Sequence, residues 1–166
     1  RWKYNLVEEK RPNEFFPIME DDNGTYIFNS KDLCLFERLP ELIACGIDSF
    51  KIEGRMKSVH YVATVVNAYR RAIDAYFADP KGYQPKQEWL DELLKVSHRD
   101  YTEGFYEHKT TEEDQIYGTS SYQQTHDFVG LVKTATDADG YATVEQRNNM
   151  KVGETIEVFQ PNNETF

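Results

Sequence analysis

The run Glu53-Gly54-Arg55-Met56-Lys57-Ser58 sets one carboxylate and two cations around a glycine, directly before a stretch of helical periodicity. Gly54 permits close backbone approach, and a helix start favours anions through its unpaired N–H groups. Such a corner suits an anionic or carbonyl group, with Glu53, Arg55 and Lys57 as candidate catalytic residues. The plainer alternative is an ion pair between Glu53 and Arg55 beside a solvated Lys57. A second polar corner, Asn29-Ser30-Lys31-Asp32, forms the candidate substrate-binding group. Its plainer role is capping, with Asn29 or Ser30 opening a helix. Cys34 would then stand in the first turn of that helix, where the dipole favours thiolate and suits nucleophilic attack or metal ligation.

Other chemistries have less behind them. The two cysteines, Cys34 and Cys45, form no Cys-x-x-Cys pair, so they hold no metal alone, and Cys45 reads as core. His60, His98, His108 and His126 are dispersed, without a His-Glu-x-x-His helix, a Gly-x-Ser-x-Gly elbow or a phosphate-binding glycine loop. The segment from His98 to Phe105 reads as a helix end folding onto the core, with a binding loop as the alternative.

The elements that must position these residues follow from periodicity. Residues 2–9, 14–20 and 25–28 read as strands, the last two joined through a tight turn at Asp21-Asp22-Asn23-Gly24. A helix follows, its apolar face formed by Leu33, Leu35, Phe36, Leu39, Leu42 and Ile43, with Pro40 as a possible kink and Gly46 as a left-handed cap. Residues 47–52 read as a strand, giving the strand–helix–strand order of a parallel crossover. Ser58 caps a long helix with Val59, Val62, Val65, Val66, Tyr69, Ala72, Ile73, Tyr76 and Phe77 on one face. A second helix spans about 86–97. Residues 98–125 are polar and turn-rich, and strands at 128–134, 141–147 and 154–160 close the chain.

Composition bounds the function. The chain has 166 residues, 39% apolar, 29% charged and 14% aromatic, enough to bury a core. No run approaches the roughly 20 apolar residues of a membrane span. A formal charge of −10 argues against a broad basic surface for nucleic acid or anionic lipid. So few cysteines fit a reducing compartment, which makes the cytoplasm the expected location. A strand that begins at once after Arg1 leads us to expect a piece of a longer protein.

The motifs Asn29-Ser30-Lys31-Asp32-Leu33-Cys34, Asp48 to Ser58 and Ser97-His98-Arg99 with Tyr101-Thr102-Glu103-Gly104-Phe105 resemble the collagenase-like peptidase family U32 in order and spacing. Phe128-Val129-Gly130, Ala142 to Asn149 and Val152-Gly153-Glu154 resemble the start of that family's C-terminal β-domain. The resemblance implies an α/β fold followed by β. Residues 1–118 would be the terminal strands and helices of a TIM-barrel-like domain, 119–125 a linker, and 126–166 the beginning of a small antiparallel β-barrel. It implies a peptidase that hydrolyses peptide bonds, or alternatively an RNA-modifying protein that hydroxylates tRNA uridine with an iron–sulfur cluster. A non-catalytic binding module is the third possibility. No cofactor is expected within the chain itself, the cluster belonging to the full-length protein with Cys34 as a candidate ligand. Peptide and tRNA are the candidate substrates, no membrane is involved, no oligomeric state is assigned, and the chain alone is expected to be inactive.

Overall fold

The computed structural model describes residues 4–22, 24–117 and 122–161. Trp2 and Lys3 of the first expected strand, Asn23 of the turn, Gly118, residues 119–121 of the expected linker and residues 162–166 lie outside them. The chain divides into two compact units, one of residues 1–38 and 98–123, the other of residues 39–97 and 124–166.

The first unit opens with an antiparallel sheet of β1 (Tyr4–Glu8), β2 (Arg11–Asp21) and β3 (Gly24–Tyr26), in that order. Tyr4 faces Ile18 and Val7 faces Phe15, and Asp21 faces Gly24 across the expected tight turn. The aromatic and β-branched residues of these runs suit a pleated surface, and the turn residues set its register.

The next segment departs from the expected helix. Asp32–Leu33 is a strand, β4, which pairs in parallel with β5 (Tyr101–Thr102), Asp32 facing Tyr101 and Leu33 facing Thr102. Asn29 and Ser30 therefore open no helix, and Ser30 makes a β-bridge to Gln115. Cys34 continues the extended backbone, its N–H donating to the Thr102 carbonyl at 2.9 Å. It stands in no helical first turn, so the dipole argument for its thiolate does not hold. A backbone ladder with a distant strand outweighs the local apolar spacing of 33–36. Helical structure begins only at a 3₁₀ turn, Phe36–Arg38, which runs into α1 (Leu39–Ala44). Pro40 sits in the first turn of α1, where its missing N–H would have had no partner. Gly46 takes φ +79° and closes the helix with its N–H on the Ile43 carbonyl, as a left-handed cap requires.

In the second unit, residues 47–52 form no strand. A strand needs a neighbour to complete its ladder, and none of the described residues supplies one. The same holds for residues 154–160, whereas β6 (Gly130–Val132) and β7 (Val144–Gln146) pair antiparallel as a hairpin. The helical core is α2 (Val59–Ala78) packed on α3 (Gln87–Lys95). It buries Val65, Ala68 and Ala72 with Trp89, Leu93 and Val96, and Leu39 is fully buried. The expected apolar face of α2 is only half covered, because a helix pair hides one side of a wide stripe. Val65 and Ala72 are buried, but Val59, Val62, Val66 and Phe77 are exposed, and the buried face turns to include Thr64 and Ala68. Among the described residues no helix is long and apolar enough to cross a membrane.

His60 on α2 stacks on Phe128 at 5.5 Å and meets Phe159 edge-on at 6.1 Å. Burial pushes its pKa down, His126 adds to this and Glu92 opposes it. The folded state thus keeps the imidazole neutral, and this contribution to stability is complete above the unfolded value of about 6.5 and lost as pH falls below it. Thermal melts should show a lower Tm at pH 5.5 than at pH 7.5, and His60→Gln should narrow that difference. Glu157, held low by its hydrogen bond to Lys95, titrates below this window. An unchanged pH difference in the variant would exclude His60 as the cause.

Candidate functional site

Each polar corner is built within its own unit. In the second unit, the corner at 53–58 is a turn closed by the Lys57 N–H on the Gly54 carbonyl at 3.0 Å. The Glu53 carboxylate accepts from the Arg55 N–H at 3.0 Å, so the acid grips backbone. Glu53 and Arg55 form no ion pair among the described residues, and the Arg55 side chain is exposed. Lys57 is not simply solvated. Its Nζ donates to the Ser97 carbonyl at 2.8 Å and lies 5.1 Å from the Tyr61 ring centroid, tying the start of α2 to the chain just past α3. Ser58 caps α2 as expected, its Oγ accepting from the Tyr61 N–H at 3.1 Å. Gly54 is required by close approach, since a Cβ there would come within 2.7 Å of Val62 Cγ2. The corner therefore presents one free-standing guanidinium near a capped helix start, the chemistry of anion contact.

In the first unit the other corner is held by a residue that periodicity did not single out. Arg99 donates from Nε to Asp32 Oδ1 at 2.9 Å, and its backbone N–H donates to Asp32 Oδ2 at 3.0 Å. A second guanidinium nitrogen lies 2.9 Å from Asp32 Oδ1, and a third reaches Asn29 Oδ1 at 3.3 Å. Asn29 and Asp32 thus form one cluster around Arg99, while Lys31 donates its N–H to the Asp114 carbonyl at 3.3 Å. His98 is buried beside them, stacked on Tyr101 at 4.5 Å with Nδ1 2.7 Å from the Arg99 carbonyl. Since a carbonyl only accepts, Nδ1 carries the proton. Arg38 clamps Glu103 through two bonds, Nε to Oε1 at 2.7 Å and a terminal nitrogen to Oε2 at 3.0 Å, which holds the Glu103 carboxyl below its ordinary range. Asp114 is also held low, first by the Thr111 N–H and then by the Thr102 hydroxyl. The segment expected to be a helix end or binding loop is a strand with charged clamps at both ends. The hint in the sequence was opposite charge at Asp32 and Arg99 flanking two β-prone pairs, Leu33-Cys34 and Tyr101-Thr102.

Cys34 is half-buried and Cys45 exposed, and they belong to different units. An iron–sulfur cluster takes about four thiolates, so these two cannot by themselves hold one. Among the described residues no three His, Cys, Asp or Glu side chains gather as a metal site.

Two family models match the chain, one on each side of residues 117–123. Residues 1–116 match Peptidase family U32, and residues 124–166 match the Peptidase family U32 C-terminal domain. The chain belongs to the U32 family. It is 44% identical over its whole length to tRNA hydroxylation protein P1 of Bacillus subtilis, of which it spans 39%. It is 37% identical over 160 residues, 95% of the chain and 34% of the relative, to tRNA hydroxylation protein P of Escherichia coli. A collagenase of Porphyromonas gingivalis is 33% identical over 86 residues, 52% of the chain and 24% of that protein. No solved structure matches the chain.

The Asp32–Arg99 pair is partly buried, so removing one partner leaves the other poorly solvated. Asp32→Ala should lower unfolding free energy by about 2–3 kcal/mol in urea titrations, because three donors lose their acceptor. A loss below about 0.5 kcal/mol, the size of an exposed pair, would show that water replaces the carboxylate.

Proposed function

We propose that this chain is the closing part of the catalytic domain, with the start of the C-terminal domain, of a protein that hydroxylates uridine in tRNA. The observation that carries this reading is the 44% identity over all 166 residues to a tRNA hydroxylation protein, against 33% over 86 residues to a collagenase. The main expectation from sequence, peptide-bond hydrolysis, gives way to its alternative.

In this reading the parallel β4–β5 pair and α1–α3 are the last elements of a TIM-barrel-like domain, and β6–β7 begin a small β-barrel. The exposed stripe of Val59, Val62, Val66 and Phe77 on α2 packs against the rest of that domain, of which this chain is a minor part. Arg55 meets an RNA phosphate or a substrate carboxylate. Glu53 positions it by fixing the turn through the Arg55 N–H, and Lys57 anchors the same turn to the Ser97 carbonyl. Asn29 and Asp32 act through Arg99, with Ser30 and Lys31 tying the same strand to the 114–116 segment. Cys34 is a thiolate ligand that this chain offers to an iron–sulfur cluster of the longer protein, the remaining ligands lying elsewhere.

Nucleoside mass spectrometry on tRNA from a strain lacking the gene should show loss of hydroxylated uridine, restored by the full-length protein. The Arg55→Ala variant should restore it with an efficiency lower by about tenfold or more, the size of a lost hydrogen bond to a charged group. Unchanged tRNA in the deletion strain, together with gelatin cleavage abolished by Glu53→Gln, would return the peptidase reading.

A further inference from the structure

Within the second unit, the chain at the end of α3 is gripped by two partners. One is the Arg55 corner, whose Lys57 Nζ donates to the Ser97 carbonyl at 2.8 Å. The other is the segment that matches the C-terminal domain, where the His126 N–H donates to the Lys95 carbonyl at 3.4 Å. The Lys95 side chain strengthens the second grip, its Nζ lying 2.7 Å from Glu157 Oε2 and 2.8 Å from Glu92 Oε1. Residues 95–97 thus form a strut between the corner and the C-terminal segment.

The start of α2 repeats the arrangement. Tyr61 takes the Ser58 cap on its N–H and lies 5.1 Å from Lys57 Nζ, while His60 beside it stacks on Phe128 and meets Phe159, both of the C-terminal segment. Glu92 of α3 and His126 of the C-terminal segment are the charges that act on His60, with Lys95 and Glu157 next to them. The Glu157 carboxylate only accepts, so His126 Nε2, 3.2 Å away, carries a proton, and Nδ1 accepts from the Thr125 hydroxyl at 2.9 Å. A neutral His126 is therefore fully paired. His60 has phenyl rings for partners and stands in the first turn of a helix, where a cation opposes the dipole. Its burial disfavours the charged form, so the cluster is built for a neutral imidazole.

We propose that the C-terminal segment positions Arg55: docked through His60, Phe128, Lys95 and Glu157, it braces the turn from which the guanidinium meets its anion. The inference rests on the reading of Arg55 as that anion contact and adds positioning residues to it, none of which touches the substrate. A guanidinium on a braced turn loses less freedom on binding, and small misplacements of such a group are costly. The brace is complete above the ordinary imidazole value of about 6.5 and loosens as pH falls below it.

The test uses the full-length protein and unmodified tRNA from the deletion strain. Hydrogen exchange across residues 53–58 at pH 7.5 should speed up about fivefold in His60→Ala and stay at the wild-type rate in His60→Phe, which keeps the ring stack. Arg55→Ala should weaken tRNA binding about tenfold in the wild-type background but less than about threefold in His60→Ala. That contribution of Arg55 should shrink between pH 7.5 and pH 5.5 in the wild type and persist in His60→Phe. Additive losses in the double variant, or an Arg55 contribution that ignores pH, would reduce His60 to a structural residue and overturn the inference. Unchanged exchange at 53–58 in His60→Ala would overturn it whatever tRNA binding does. Faster exchange there, with Arg55→Ala harmless to tRNA binding in every background, would uphold the brace and overturn the reading of Arg55 as the anion contact.

Discussion

The forked bond between Arg99 and Asp32 is the constraint on which the first unit depends. It joins two motifs 67 residues apart at the point where β4 and β5 run in parallel for only two residues each. So short a ladder contributes few hydrogen bonds, and a parallel pair closes a long connection whose entropy must be met. The charged clamps Asp32–Arg99 and Arg38–Glu103 bracket the pair at its two ends and fix the register that the ladder alone would hold weakly. Buried His98 is held by the Arg99 carbonyl and stacks on Tyr101 of β5.

The second unit uses a different device for the same purpose. Its corner at 53–58 is ordered by local bonds, the Glu53 carboxylate on a backbone N–H and the Ser58 hydroxyl on the first turn of α2. One longer reach, Lys57 to the Ser97 carbonyl, ties that corner to the end of the helix pair. With Glu53 and Lys57 both engaged, the exposed side chain of Arg55 is the cation that the corner presents outward. A guanidinium held on a rigid turn loses less entropy on meeting an anion than one on a mobile loop.

What the sequence made legible was what local physics decides. Ser58 as a cap and Gly46 in left-handed backbone rest on interactions within a few residues, and the β1–β3 meander and the β6–β7 hairpin on pairing between strands that follow one another in the chain. Where the outcome depends on a distant partner, local reading failed. Residues 33–36 carry helical spacing, but Leu33 is strand and Cys34 stays extended because Thr102 offers it a carbonyl, and residues 47–52 carry strand spacing but find no neighbour among the described residues. The same holds for the sites. Glu53, Arg55 and Lys57 were visible as a charged corner, but the grip of Glu53 on backbone and of Lys57 on Ser97 was not. Arg99 was hidden because its partner Asp32 lies on another segment altogether.

The acidic balance of the chain bears on what its cations can offer an anionic partner. In the first unit Arg11, Arg38, Arg99 and Lys109 are each engaged by a carboxylate, from Glu8 and Glu14, Glu103 and Glu107, Asp32, and Glu14 respectively. Cations so engaged release few counterions on meeting phosphate, and it is counterion release that makes electrostatic RNA binding strong and salt-sensitive. Lys10 and Lys31 of this unit make no ion pair among the described residues, so they are the cations it leaves for an anionic partner. A formal charge of −10 disfavours indiscriminate grip on nucleic acid.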